Sequence, residues 1–529
     1  MVYAIDFGTS NTVIARWNAA TQQPETLALA DLSIRLGQNP PLIPSLVYVE
    51  DAASGKVLAG QTVRDRGLDL SSDSRFFRNF KRGIGAEVQG FLPELDGQTV
   101  TLEQTGQWFL TQVIQQLQSL DPDFDSLVFT VPVDSFEAYR NWLSGVCQSL
   151  QVEQVRMLDE PTAAALGYGL TAGETLLVID FGGGTLDLSL VQLQGDRQSQ
   201  AKPVGFILKW GQKTLTESGQ RPKTARVLAK AGQNLGGSDI DNWLVDHFAT
   251  TQGLAVTPLT LRLAERLKVQ LSEQTIATEA YFNDETFESY ELQLDRDRFT
   301  TILQEHQFFE RLDESMTQVL RQARRQGLEV ADINAVLLVG GTAQIPAVQD
   351  WVKQYFEPEK IRSERPFEAI AQGALQIHQG IDLKDFLYHS YGIRYWDRRN
   401  NRHSWHPLIK EGQPYPMPDP VELVLGASTE NQPSIELIIG ELGTESGGTE
   451  VFFEGDRLVT RSLGSGKTQV QPLNDQASTI AKLTPPGFPG SDRIKVLFWV
   501  DGDRFLRITV EDLFSAETLL ENRAVVQLS

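Results

Sequence analysis

VIDFGGGTLDLSL, residues 178–190, decides the reading of this chain, because residues 4–12 carry a shorter version of it, AIDFGTSNT. Each stretch opens as a short apolar run that reads as a strand, turns sharply on glycine and continues in a second apolar run. Such a turn leaves backbone N–H groups free to face an anion. The first brings Asp6, Gly8, Thr9, Ser10 and Asn11, and the second brings Asp180, Gly182, Gly183, Gly184, Thr185 and Asp187. Two related hairpins of this composition can clamp one polyphosphate and its metal. Hard carboxylate oxygens that leave several waters on the ion are what magnesium prefers. A single Asp-Phe-Gly would be an ordinary turn; its repetition points to a shared site.

Bulk properties bound the rest. At 529 residues the chain exceeds one hydrophobic core and is expected to form three or more compact units. The longest apolar runs, such as AVLLV at 335–339, are too short to cross a bilayer. The opening MVYAIDF has neither a basic nor a signal-type segment, so no secretory targeting is expected. Cys147 stands alone, which excludes an internal disulfide and a cysteine metal cluster and suits a reducing cytoplasm. A formal charge of -22 argues against nucleic acid or an anionic membrane as partner, since both reward a basic face. One basic stretch, about 195–235, interrupts the acidity with Lys202, Lys209, Lys213, Arg221, Lys223, Arg226 and Lys230. It reads as a solvated loop or extended hairpin, or as a dock for an acidic partner.

Along the chain, PLIPSLVYVE is a proline-led strand and FFRNFKRGIG surrounds Lys81. Residues 102–120 carry Trp108, Leu110, Val113, Ile114 and Leu117 on one helical face. A buried-type strand LVFTVP (127–132), a helix over about 135–150 and MLDEPTAAALGYGL follow, with Pro161 after Glu160 where a helix start tolerates it. NLGGSDIDNWLVDHF sets the Gly236-Gly237 turn before a helix whose Asp239 complements the dipole. An amphipathic helix covers 261–272, and Gly340, Gly341 and Thr342 lie at the carboxyl end of AVLLV, the edge where α/β sheets place ligands. An alanine and glycine helix closes the region near Gly380. From about 388 helical periodicity gives way to short strands between Pro, Gly and Asn turns, and IDLKDFL (381–387) is a partly apolar connector.

DFGTSN, FKRGIG, TVP, LDEPTAAALGYG, DFGGGTLDLSL, NLGGSDID, LVGGTAQIP and IAQGAL, in this order and spacing across about 1–380, resemble the nucleotide-binding domain of the seventy-kilodalton heat-shock chaperones, the DnaK-like family. The stretches 455–463 and 483–512 resemble that family's peptide-binding domain. The resemblance implies an α/β actin-like two-lobed ATPase domain (1–380), a linker (381–387) and an antiparallel β-sandwich domain (388–529). It implies ATP/ADP and Mg2+, with hydrolysis of ATP driving binding and release of unfolded or client polypeptide. Partners would include a J-domain-type co-chaperone and a nucleotide-exchange factor.

Carried over residue by residue, Asp6 and Asp180 would hold magnesium through water. Thr9 and Thr185 would touch phosphate oxygens, while Gly8, Ser10, Asn11, Gly182, Gly183 and Gly184 would cradle them. Lys81 would reach the terminal phosphate, and Glu160 and Asp187 would order the attacking water. Glu265, Lys268 and Ser272 would meet ribose and adenine, with Gly236, Gly237, Gly340, Gly341 and Thr342 around them. Pro132, Arg140 and Arg156 match positions that transmit nucleotide state, and Asp503 matches a β-domain acid that docks on the first domain. Three positions depart from the pattern: Val269 and Gln344 stand where arginines would sandwich the base, and Phe367 stands where an aspartate would be. Weaker affinity and looser base preference follow. No helical lid pattern follows the last strands, which implies fast peptide release. IRYWDRRNNRHSWHPLI (393–409) departs from the family's peptide loop, and Tyr395, Trp396 and Trp405 would be pocket or core. A nucleotide-sensing adaptor with vestigial hydrolysis is the alternative from another class, and a sugar or acetate kinase a further one.

Overall fold

The computed structural model describes residues 2–18, 20–37, 39–86, 88–122, 124, 126–132, 139, 142–143, 145–147, 154–169, 173–194, 206–209, 224–283, 287–376, 385–387, 390–397, 402–410, 413–417, 419–442, 448–454, 457–463, 470–474, 478–501 and 504–528. Most of the helix expected over 135–150, most of the basic stretch, the start of the connector, Arg140 and Asp503 therefore lie outside the described residues.

The chain divides into two compact units, 1–383 with Thr449–Arg461, and 384–448 with Ser462–Ser529. The first unit repeats one arrangement. Strands β1 (Val2–Phe7) and β2 (Asn11–Asn18) form an antiparallel hairpin, β3 (Ser126–Val131) lies parallel to β1, and β4 (Gln154–Asp159) lies parallel to β3. In the second lobe β5 (Thr175–Phe181) and β6 (Leu186–Gln194) form the hairpin, with β7 (Thr224–Gln233) beside β6 and β8 (Ala335–Val339) parallel to β5. The sheets are mixed, not mostly parallel, because each phosphate turn is itself the bend of an antiparallel hairpin. The lobes count as one unit rather than two because residues from both, among them Val2, Val128, Leu176 and Leu337, share a single buried cluster.

Helices fix the strand ends. Helix α1 (Leu102–Leu120) starts on Thr101, whose hydroxyl accepts from the Gln104 N–H at 3.1 Å. It buries Phe109, Leu110, Val113, Ile114 and Leu117, while Trp108 is half-buried. Helix α2 (Glu160–Gly167) is capped by Asp159, which accepts from the Thr162 N–H at 2.8 Å, and Pro161 occupies its first turn. Helix α3 (Gly237–Gln252) follows the double glycine, and α4 (Pro258–Glu273) is capped by Thr257. Helix α5 (Ala369–Ala374) lies so close to α2 that a Cβ built on Gly373 would overlap the Ala163 carbonyl, and one on Gly167 would overlap that of Ala369. Among the described residues no helix is long and apolar enough to cross a membrane.

The second unit carries two four-stranded antiparallel sheets, one built on Ser390–Asp397 and the other on Asp492–Val500 and Phe505–Asp512. Their alternating burial fills one core with Ile494, Val496, Phe498, Leu506, Ile508 and Val510. Leu387 of the connector belongs to that core, so its apolar character is used there. Tyr395 and Trp396 are exposed, at 43% and 38%, and Trp405 packs beneath Gly440. Thr449–Arg461 groups with the first unit through parallel pairing of Glu450 with Val88.

The contact between α2 and α5 tolerates no side chain at Gly373. Replacing it with valine is expected to lower the unfolding free energy of the first unit by more than about 2 kcal/mol, because backbone has to move. Denaturant unfolding of G373V against wild type measures it.

Candidate nucleotide site

The two glycine turns meet. A Cβ on Gly183 would strike the Ser10 side chain, and one on Gly184 would lie 2.7 Å from Thr9 Oγ1, so the turns face each other as the duplicated motif predicts. The first turn is anchored by Ser45, whose hydroxyl donates to the Gly8 carbonyl at 2.8 Å. In the second, the Gly182 carbonyl accepts from Thr342 Oγ1 at 2.8 Å and from the Gly237 N–H at 3.1 Å, while the Gly183 carbonyl accepts from the Ser238 N–H at 2.9 Å. These bonds draw Gly237 and Thr342 onto the second turn, and a Cβ on Gly236 would overlap the Gly183 backbone. Gly340 holds a φ of 84° beside the Phe181 carbonyl, a conformation and a closeness that suit glycine.

Around the turns gather the charges. Asp6 ends β1 and accepts from Thr130 Oγ1 at 2.8 Å. Lys81 Nζ stands 3.2 Å from Glu160 Oε1 and 5.6 Å from the ring centroids of both Phe7 and Tyr139. Burial disfavours that ammonium, but Glu160, Tyr139 and Asp6 outweigh it and push its pKa up. The Asp6 carboxyl is pushed up to about 7 by burial and then by Glu160, against Lys81 and Thr130. Asp180 is raised well above the carboxylate range by burial, then by Glu160, Asp187 and Asp6. Asp6 and Asp180, one from each lobe, therefore sense each other and share Glu160 and Lys81. Four carboxylates against one ammonium leave an excess of negative charge that a hard divalent cation would answer. Among the described residues no three acidic, histidine or cysteine side chains close a metal cage. That donor set suits an ion that keeps most of its waters and meets carboxylates through them.

The positions expected to meet the nucleoside lie on α4. Glu265 pairs with Arg64 at 3.1 Å; burial works against its charge, but Arg64, Arg78 and Lys268 hold the carboxyl below its usual range. Lys268 is fixed by Asp241 Oδ1 at 2.7 Å and by the Gly237 carbonyl at 2.8 Å, and Ser272 donates to the Lys268 carbonyl at 3.2 Å. An open space of about 390 Å³ runs from Thr9 and Ser10 past Arg64 and Arg78 to Glu265. A second, of about 320 Å³, is lined by Glu160, Asp180, Asp187, Ser189 and Lys230. Sequence reasoning missed Thr130, Arg64, Tyr139 and Asp241. Thr130 lies in the quoted TVP segment, one strand over from Asp6, and parallel pairing of β1 with β3 was the signal that could have found it.

Comparison with known proteins agrees with this geometry. The family model described as Hsp70 protein matches residues 74–199 and 224–402, more than half of the chain. The chain belongs to the Hsp70 family. Its relatives include a chaperone protein dnaK of Trieres chinensis, 30% identical over 422 aligned positions, covering 73% of this chain and 62% of that protein. The chaperone protein DnaK of Thermus thermophilus is 26% identical over 551 aligned positions, covering 96% of this chain and 78% of the relative. That of Buchnera aphidicola is 27% identical over 430, covering 73% and 61%. The chain thus spans under two thirds of the length of the first of these relatives. As in the Hsp70 family, an actin-like ATPase fold is followed by a β-sandwich. The match pauses between 199 and 224, inside the basic stretch.

Within this Hsp70 framework the base end stands apart. Val269 is 49% exposed on α4, and the Phe367 ring lies 3.2 Å from where a Gly341 Cβ would be. Gln344 closes the turn after β8, its amide nitrogen buried without a partner among the described residues.

The raised carboxyl sets a pH dependence for the protein free of metal and nucleotide. The folded pKa of Asp6, about 7, exceeds its ordinary 3.8, so the folded state holds a proton that the unfolded state gives up. Its contribution is complete below about 3.8 and lost as pH rises through about 7. The thermal midpoint in chelator is expected to fall across that window, and magnesium to flatten the fall. Thermal scans with and without the ion check it.

Proposed function

We propose that this chain binds ATP between its lobes, hydrolyses it to ADP and phosphate, and uses the cycle to bind and release extended client polypeptide through its β-sandwich. The observation that carries the reading is the mutual facing of Asp6 and Asp180 beside the Lys81–Glu160 pair, with both glycine turns in contact.

A phosphoryl transfer asks for positioning and charge more than covalent chemistry. The amides of Gly183 and Gly184 and the hydroxyls of Thr9 and Thr185 hold phosphate oxygens, while the Gly182 N–H closes the turn on the Thr185 carbonyl at 3.1 Å. Lys81, prepaid in position by Glu160 and two aromatic rings, meets charge on the terminal phosphate. Glu160 and Asp187 orient the attacking water. Asp6 and Asp180 would hold magnesium through its waters, and the ion when bound would neutralise phosphate charge. Glu265 and Lys268 would take the ribose. Coupling to the β-sandwich requires only that two conformations of the chain bind ATP differently. Pro132, just past the end of β3, and Arg156, within β4 opposite Val128, are the described positions proposed for it. A reducing cytoplasm is the proposed setting, and a J-domain-type co-chaperone and a nucleotide-exchange factor are the proposed partners.

The adaptor reading has one observation in its favour: the base end offers Val269, Gln344 and Phe367 in place of cations, which weakens the hold on a purine. Phosphate release measured with and without an extended hydrophobic peptide separates the two. Peptide stimulation supports the chaperone cycle, whereas tight nucleotide binding with a flat trace supports the adaptor, and phosphate appearing on a small metabolite would support a kinase. In the chaperone case Lys81→Ala is expected to reduce single-turnover hydrolysis by about 10² to 10³.

A further inference from the structure

Arg82 follows Lys81 in the short turn Phe80–Gly83 and is more deeply buried than its neighbour, its side chain 1% exposed against 11%. One terminal nitrogen, Nη1, donates to Asp239 Oδ1 at 3.1 Å, which joins the first lobe to the start of α3 in the second. The other Asp239 oxygen already accepts from the Gly236 N–H at 2.8 Å. Arg82 Nε and Nη2 are buried with no acceptor among the described residues. A guanidinium carries five N–H donors and accepts nothing, so the three on Nε and Nη2, unmet in the interior, are costly unless something arrives to meet them.

Their place says what would arrive. A Cβ on Gly184 would lie 2.9 Å from Arg82 Cγ and 2.7 Å from Thr9 Oγ1, so the stem of Arg82 lies where the two phosphate turns meet. The local charge agrees. Arg311 is held below the usual arginine range by burial and then by Arg82, while Asp239 opposes both. Asp239 thus stands between two guanidiniums, with Glu314 a second carboxylate acting on Arg311, and Asp239 meets Arg82 at Nη1 alone. A forked, delocalised cation with two unpartnered nitrogens suits the oxygens of a phosphoryl group.

We propose that Arg82 is a second cationic contact to the terminal phosphate of the bound triphosphate, donating from Nε and Nη2 while Nη1 stays on Asp239. This rests on the nucleotide reading above and adds to it the residue that tells a triphosphate from a diphosphate. Because Asp239 belongs to the opposite lobe, the same side chain links the presence of that phosphate to closure of the lobes.

The test is calorimetric titration of the full chain with ADP and with the β,γ-imido analogue of ATP, magnesium present, for wild type, Arg82→Gln, Arg82→Lys and Asp239→Asn, with thermal scans of each free protein. Arg82→Gln is expected to lose at least tenfold in affinity for the triphosphate analogue relative to ADP. Arg82→Lys, which keeps the charge and the fold but not the fork, is expected to lose part of that preference. Asp239→Asn is expected to lower the thermal midpoint as Arg82→Gln does, yet retain the preference. If wild type favours the triphosphate and both Arg82 variants keep the same ratio, the assignment is overturned. It is overturned too if Asp239→Asn and Arg82→Gln lose both nucleotides equally, which makes Arg82 a strut between lobes. A wild-type chain that takes up neither nucleotide overturns the site reading itself, and this contact with it.

Discussion

Like charges buried against one another govern the first unit. Asp6, Glu160, Asp180 and Asp187 converge from both lobes on a region where Lys81 is the cation among them, and burial strengthens every repulsion. In the free protein the strain is met by protons, since Asp6 and Asp180 are both driven toward their neutral forms. A site arranged in this way favours whatever brings positive charge between the lobes. Closure and ligand binding then become one event, because the same carboxylates repel when alone and are reconciled when a cation sits among them.

The fold makes the convergence possible through close approach rather than through large apolar area. Gly183 and Gly184 let Ser10 and Thr9 reach the opposite turn, Gly236 lets α3 start against the Gly183 backbone, and Gly167 and Gly373 let α2 and α5 touch carbonyl to backbone. Each of these glycines is spent on proximity. A methyl group at any of them would hold the lobes or the helices apart, which explains why the motifs are rich in glycine on both sides of the cleft. Where the chain instead needs a firm strand end, it uses caps: Thr101, Asp159 and Thr257 each satisfy an amide that the helix cannot.

Much of this was legible in the sequence. The strand-turn-strand pattern placed Asp6 and Asp180 correctly at the ends of β1 and β5, the GGSDID segment did open a helix, and alternation past residue 388 did mean an antiparallel unit. What escaped depends on contacts between segments far apart in the chain. Thr130 meets Asp6 only through the pairing of β1 with β3, Arg64 meets Glu265 only across the cleft, and Asp241 meets Lys268 only where α3 and α4 pack. Arg82 was not singled out, since nothing local distinguishes a buried guanidinium from an exposed one. The sheets of the first unit are mixed because the glycine-turn hairpins bring their own antiparallel arms.

The two ends of the site distribute recognition unevenly. At the phosphate end, two glycine turns, threonine hydroxyls, Lys81 and the orphaned donors of Arg82 all converge within a few side chains. At the base end, Val269 is open to solvent, Phe367 offers a ring face and Gln344 keeps its amide nitrogen to itself. Lys268 is already engaged by Asp241 and the Gly237 carbonyl, so it serves the packing of α3 on α4 before it serves a ligand. Affinity on such a surface comes chiefly from charge and backbone amides, which read the number of phosphates, and little comes from stacking, which reads the base. On the nucleotide reading proposed above, a chain built in this way is better suited to sense the charge state of a nucleotide than its identity.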